Sequence, residues 1–214
     1  MNMRLSRPIN LLLCLGLLLS SLAWPAPTRA QGGESDGHGN YWRHYNTANS
    51  GLLSDTVQAI AYTEDVVVDV AVPGLWIGTD QGLSYTNGRD WVNYTPANSG
   101  LPAADVRAII TATQPSALWI ATASGVARLD YAATPRDRGD DTWTAFAIAD
   151  SLPTTDTLSL ALGREGELWV GTADGLVRYD GATWRAYTAA EGRLPASEVR
   201  DLAYDAGRDA LWVA

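Results

Sequence analysis

Four residues recur at one place in this 214-residue chain: Thr56, Asp105, Asp156 and Glu198 each stand five positions after the start of a turn, at Gly51, Gly100, Ser151 and Arg193. Each is followed at once by a short alternating apolar run. Three carboxylates repeated at strand entrances could coordinate a cation or accept hydrogen bonds from the hydroxyls of a sugar. A second set of turns, Asp80-Gln81, Ala123-Ser124 and Ala173-Asp174, adds Asp80 and Asp174 as candidate contacts. Asp105, Asp156, Glu198, Asp80 and Asp174 are therefore candidates for ligand binding by position. The plain alternative is that acids at strand entrances are ordinary solvated turn residues.

Other reactive groupings are missing from the sequence. It has no Cys or His pair at metal spacing, no Gly-x-Ser-x-Gly, no Walker loop and no His-Glu-x-x-His. His38 and His44 lie in or beside a Gly-rich stretch, and Cys14 is the only cysteine. No carboxylate pair stands out for glycoside hydrolysis from the many turn acids. The expectation is a binding protein rather than an enzyme, with no cofactor and no metal.

The candidate acids must be positioned by the elements around them, and those elements repeat. Leu-Trp-(Ile/Val)-(Gly/Ala) occurs at Leu75, Leu118, Leu168 and Leu211, with the tryptophans 43, 50 and 43 residues apart. Trp-x-x-aromatic steps fall at Trp42/Tyr45, Trp91/Tyr94, Trp143/Phe146 and Trp184/Tyr187. Gly-apolar runs begin at Gly82, Gly125 and Gly175, and Asn87-Gly88 and Asp180-Gly181 suit two-residue hairpin turns. A period of about 40–50 residues in β-rich units points to propeller blades.

The alignment gives four antiparallel strands per repeat, a to d from first to last. Residues 57–94, 106–146 and 158–187 make three complete blades, and 199–214 supply strands a and b of a fourth. The fold expected is all-β: a partial propeller of three four-stranded blades plus a half blade over residues 41–214, a truncated ring. Trp42 to Tyr45 reads as an orphan d strand, either awaiting a partner or docking imperfectly on the half blade. In this topology the d-to-a segments and b-to-c turns open on one face, with the a strands nearest the channel. That places Asp105, Asp156 and Glu198 at the channel mouth, rimmed by Asp80 and Asp174. Open ends would keep apolar sheet faces exposed, so the chain is expected to aggregate or associate through them.

Residues 168–181, Leu-Trp-Val-Gly-Thr-Ala-Asp-Gly-Leu-Val-Arg-Tyr-Asp-Gly, with Trp184 and Tyr187, resemble the two-component regulator propeller repeat. That repeat reads Leu-Trp-Ile-Gly-Thr-x-x-Gly-Leu-x-x-Tyr-Asp-Gly, then Trp-x-x-Tyr and Gly-Leu-Pro. The second blade departs by Ala121 in place of Gly and by an insertion at Tyr131 to Asp141; the first carries an insertion at Thr63 to Gly74. The resemblance implies the periplasmic input region of a two-component sensor. There a small polar ligand, glycan or protein on one propeller face would act through further C-terminal blades and a membrane histidine kinase region. The alternative is a stand-alone secreted scaffold or adhesion module, with a propeller lyase or glycosidase as a distant third.

Arg4 and Arg7 precede an apolar run from Ile9 to Trp24, and Thr28-Arg29-Ala30 offers small residues for a signal peptidase. Residues 1–30 are read as a signal peptide cleaved near Ala30, with an uncleaved anchor as the alternative, and 31–40 as a flexible lead-in. The mature chain would be exported to the periplasm or the extracellular space, where the absence of cysteine leaves stability to the core. All 15 basic residues are Arg, and removing 1–30 leaves 12 of them against 24 acids, a balance of −12. Such a balance excludes nucleic acid as a partner, since that needs a basic footprint.

Overall fold

The computed structural model describes residues 34–35, 41–42, 44–67, 70–112, 116–132, 134–146, 154, 156–192, 194 and 196–214. The signal peptide reading, residues 1–30, and the turn at 151–153 lie outside the described residues. The chain divides into two units, Met1–His44 and Tyr45–Ala214.

In the first unit, β1 (Glu34–Ser35) pairs antiparallel with β2 (Tyr41–Trp42). Trp42, read from the sequence as the start of an orphan d strand, thus pairs with Glu34 of the lead-in. Two residues per strand leave no room for the alternation that marks longer strands, which is why the sequence does not show it.

The second unit follows the repeat closely. One sheet holds β3 (Val57–Val67), β4 (Val70–Thr79), β5 (Gly82–Thr86) and β6 (Trp91–Tyr94) in that order. The next holds β7 (Val106–Ala112), β8 (Ala117–Thr122), β9 (Gly125–Asp130) and β10 (Thr142–Phe146). A third holds β11 (Thr157–Leu162), β12 (Leu168–Thr172), β13 (Gly175–Tyr179) and β14 (Trp184–Tyr187). Last comes the pair β15 (Leu202–Asp205) and β16 (Ala210–Val213). All pairings are antiparallel between chain neighbours. The first strands adjoin across sheets, β3 beside β7, β7 beside β11 and β11 beside β15, so strand a of each blade lies innermost. This is a partial β-propeller of three blades and a half blade.

The insertion in the first blade is not a loop. β3 and β4 continue their ladder through Thr63↔Gly74 to Val67↔Val70, lengthening the a–b hairpin. In the last unit regular pairing starts later than expected, at Leu202, although Arg200 N–H and Asp201 N–H both donate to the Ala214 carbonyl (2.8 and 3.3 Å).

The motif residues each have a local task. Thr79, Thr122 and Thr172 are buried, and each donates its hydroxyl to the carbonyl of the glycine that opens strand c, at 2.8–2.9 Å. The same hydroxyls accept from the second b–c turn N–H, of Gln81, Ser124 and Asp174. Gly82 and Gly175 have φ of +142° and +148°, and a Cβ there would lie 2.4 and 2.5 Å from the carbonyl oxygens of Tyr94 and Tyr187. The second motif glycine serves the next blade: a Cβ on Gly78 would meet the Val106 side chain at 2.6 Å, and one on Gly171 the Val199 carbonyl at 2.6 Å.

The cores lie between blades. Trp76 packs with Tyr85 and Tyr94 of its own sheet and with Val106, Ile109, Ile120 and Tyr131 of the next. Trp119 joins Leu160, Leu168 and Val170 in the same way, and Trp169 packs against the cluster of Ala161, Val199 and Leu202. One repeat column makes the logic visible: Ile60 is 63% exposed, whereas Ile109, Leu160 and Leu202 are 7, 6 and 8% exposed. The tryptophan column reverses it, with Trp76 at 0%, Trp119 at 5% and Trp212 at 62%. A position is buried where a neighbouring blade covers it, and the hydrophobic stabilisation follows that cover.

The second-blade insertion, Tyr131 to Asp141, clasps the first blade. Tyr131 packs on Trp76 (5.3 Å between ring centroids), Arg136 bonds Asp90 at 2.9 Å, and Arg138 lies 4.8 Å above the Tyr94 ring. Under this clasp both Asp141 oxygens and the Tyr94 hydroxyl are shielded from solvent without a well-formed hydrogen bond. Burial pushes the Asp141 carboxyl and the Tyr94 hydroxyl above their ordinary values. The sign follows for Asp141: a raised folded-state pKa means its burial is tolerated at acid pH and costs stability as pH rises through that value. Asp141→Asn is therefore expected to raise the melting temperature by about 2–4 °C at pH 7. Calorimetry at pH 4 should show the gain shrinking; a gain equal at both values would contradict the assignment.

Candidate functional site

The mouth is built where strand a begins. In the first three blades the a strand carries an irregularity at the same register: between Val57 and Ala59, Val106 and Ala108, and Thr157 and Ser159. The extra residues, Gln58, Arg107 and Leu158, have no opposite number on strand b, and such bulges re-aim a side chain. Backbone bonds from Ala123 N–H to Asp105 and from Ala173 N–H to Asp156 (both 3.1 Å) tie the b–c turns to the same end.

Two of the re-aimed side chains meet the predicted acids. Gln58 Nε2 donates to Asp105 Oδ1 at 2.7 Å, reaching from the first blade to the second. Arg107 Nε donates to Asp105 Oδ2 at 3.0 Å, and its Nη1 donates to Asp156 Oδ1 in the third blade. The result is a relay, Gln58–Asp105–Arg107–Asp156, across three successive blades. Its side chains are part-exposed: 26% for Arg107, 33% for Asp105 and 45% for Asp156. Burial opposes the Arg107 charge, but bonds to the Asp156 and Asp105 carboxylates outweigh it and hold the guanidinium above its ordinary value.

The relay stops at the third blade because Leu158, which carries no polar group, occupies the position of Gln58 and Arg107. Glu198 is exposed and pairs instead with Arg200 of its own segment at 2.9 Å. Asp80 sits half-buried in the first b–c turn with Oδ1 shielded and unpartnered. Asp174 is an exposed turn residue whose backbone N–H donates to Thr172. So Asp105 and Asp156 are joined through Arg107, while Glu198, Asp80 and Asp174 stay outside that connection.

Gln58, Arg107 and Arg200 were not among the sequence candidates. Their signal was present as a column two residues after the acids, yet only the bulge shows that this column turns toward the next blade. Asp105, Asp156 and Glu198 each bond a guanidinium group, of Arg107 or Arg200, while Asp80 and Asp174 add two further acids at the rim. The paired acids and arginines offer a ligand both hydrogen-bond acceptors and donors. Among the described residues no group of three His, Cys, Asp or Glu is placed to hold a metal ion.

No protein-family model matches the chain, and no curated protein matches it. Solved structures do. An extracellular domain assigned to a hybrid two-component system of B. thetaiotaomicron superposes with a TM-score of 0.64 at 20% identity, over 81% of this chain and 22% of that one. A surface component of the type-IX secretion system of Porphyromonas gingivalis, PorZ, gives 0.58 at 16% identity over 83% and 27%. Virginiamycin B lyase from Staphylococcus aureus gives 0.52 at 16% identity over 74% and 48%. This chain thus spans between about a fifth and a half of the structures it matches. At these identities the likeness is one of fold.

Proposed function

We propose that this chain is an exported ligand-recognition propeller of the kind that forms the input region of two-component sensors. It reads a small polar ligand, a polyol or glycan above all, at the mouth formed by the d–a segments and b–c turns. The observation that carries this reading is the relay Gln58–Asp105–Arg107–Asp156, which presents alternating donors and acceptors from three blades at part-exposed positions. Sugar hydroxyls each donate and accept, and match such an array without needing net charge. The repeat sequence and the likeness to an extracellular two-component domain support the sensor context. The reading is non-catalytic: Asp105, Asp156 and Glu198 are engaged by Arg107 and Arg200 rather than set against a nucleophile or a leaving group.

The test is a panel of neutral and acidic oligosaccharides, screened by thermal shift and followed by calorimetry on the sugar with the largest shift. Asp105→Asn, Asp156→Asn and Glu198→Gln combined keep size and remove charge. This variant is expected to lose at least about tenfold in affinity, about 1.4 kcal/mol. Unaltered affinity would put the ligand on another surface.

A further inference from the structure

The c–d turns of the first and third blades are one turn built on two different residues. In the first, Asn87 Oδ1 accepts from the backbone N–H groups of Arg89 and Asp90, at 3.0 and 2.8 Å. In the third, Asp180 Oδ1 accepts from those of Ala182 and Thr183, at 2.9 and 2.7 Å. The glycines that follow, Gly88 and Gly181, have φ of +85° and +95°, and open space surrounds both Cβ positions. One turn thus carries an amide where the other carries the carboxylate that hydrolysis of such an amide leaves. The carboxylate suits the turn: bonds from the Thr183 and Ala182 N–H groups hold Asp180 below the usual carboxylate range, at about 2.

We propose that Asn87-Gly88 is a self-modification site, at which the folded chain converts Asn87 to an aspartyl residue without an enzyme. The Gly88 backbone nitrogen gives up its proton to solvent hydroxide and adds to Asn87 Cγ. The new N–Cγ bond closes a succinimide ring, and Nδ2 leaves as ammonia with a proton from water. Water then opens the ring. Addition at Cγ breaks the new bond and gives Asp; addition at the Asn87 backbone carbonyl carbon breaks the original bond to Gly88 and gives an isoaspartyl linkage. The balance is one water taken up and one ammonia released.

The turn favours each stage. Gly88 is exposed and has no side chain to screen its nitrogen, whose N–H donates to the neutral Thr86 hydroxyl at 3.1 Å. The two N–H groups on Asn87 Oδ1 polarise the carboxamide and are placed to stabilise the oxyanion formed as the nitrogen adds. Asn46 supplies the contrast. Its Oδ1 also accepts two backbone N–H bonds, from Ala48 and Asn49 at 2.9 and 3.0 Å. The next residue there is the β-branched Thr47, whose N–H is held on the Asp55 carboxylate at 2.7 Å. Conversion of Asn87 also reaches the clasp: Asn87 Nδ2 donates to Asp90 Oδ2 at 3.4 Å, the oxygen that Arg136 holds at 2.9 Å. A second carboxylate in place of that donor leaves Arg136 facing both.

The test incubates the full chain at mildly alkaline pH, folded and, in parallel, unfolded in urea, until half of Asn87 in the unfolded sample has converted. Peptide mapping by mass spectrometry reads each asparagine, and isoelectric focusing reads the added negative charge. The folded chain is expected to convert at Asn87 to a mixture of Asp and isoaspartyl, faster as pH rises, with Asn46, Asn49 and Asn98 intact. Asn87→Asp is expected to match the parent by circular dichroism and to focus where the aged parent focuses. Asn87→Ser, which can still accept the turn N–H bonds, is expected to keep its charge on ageing. Asn87 intact in the folded chain overturns the proposal. So does conversion of Asn46 at the same rate, because exposure alone would then be sufficient.

Discussion

Trp76→Ala is expected to cost about 3–5 kcal/mol of stability, whereas Trp212→Ala, at the same repeat position, should change it by less than about 0.5 kcal/mol. The two residues share a sequence motif and differ in cover. Trp76 is fully buried among Tyr85, Tyr94 and Tyr131, with ring centroids 4.8, 6.0 and 5.3 Å away. A buried indole withdraws about 150–250 Å² from water, and its removal also leaves a cavity that the interdigitated clasp cannot collapse into. Domains of this size are stable by only about 5–15 kcal/mol, so Trp76→Ala removes a large share. Urea titration of the parent and both variants at one low protein concentration checks the pair. Equal losses would mean that the repeat position, rather than the neighbouring blade, sets the energetics.

Gly175→Ala is the second large effect, expected at about 2–4 kcal/mol. Two independent costs combine there. The backbone has φ of +148°, a region L residues avoid, and the added methyl carbon would sit 2.5 Å from the Tyr187 carbonyl oxygen. That oxygen belongs to the end of strand d, which cannot recede without opening the β13–β14 ladder. Gly181 provides the contrast: its φ is +95° but nothing lies near its Cβ position, so Gly181→Ala should cost about 1 kcal/mol from backbone strain alone. Thermal denaturation of the two variants reads the difference directly, and similar losses would show that the close approach at Tyr187 is relieved at little cost.

What the sequence made legible follows from periodicity. The four-strand unit was readable because Leu-Trp, Gly-apolar and Trp-x-x-aromatic segments recur at fixed order, and each names a strand by its alternation. Asn87-Gly88 and Asp180-Gly181 marked the places of the c–d turns but not their length: the turns hold four residues, 87–90 and 180–183, instead of the two-residue hairpins expected, and only the glycines have positive φ. Three things were not readable. The insertion at Thr63 to Gly74 was visible only as an insertion between strands a and b; that it extends the hairpin shows in the ladder, which continues from Thr63↔Gly74 to Val67↔Val70. The insertion at Tyr131 to Asp141 was visible only as a departure; that it grips the first blade depends on Arg136 finding Asp90, 46 residues away, and on Arg138 lying over the Tyr94 ring. And the partner strand of Trp42 is two residues long, too short for any pattern.

The candidate site was legible by half. Repetition located Asp105, Asp156 and Glu198 at one end of the a strands, where the backbone bonds to the b–c turns also gather. Repetition did not reveal that the acids are counter-charged. Asp105 and Asp156 looked like a bare acidic rim until the bulge brought Arg107 between them. A bulge adds one residue without changing the residue types around it, so the alternating run at Val106 to Ala112 reads the same with or without it.

The account rests on recognition at that mouth, and hydrogen–deuterium exchange tests it most directly. The oligosaccharide with the largest thermal shift is the probe, compared bound and free. Protection is expected at Gln58–Ala59, Arg107–Ala108 and Asp156–Leu158, and in the b–c turns at Asp80–Gln81 and Ala173–Asp174. Protection confined to the opposite end, at Asn87–Asp90 and Asp180–Thr183 in the c–d turns, would contradict it.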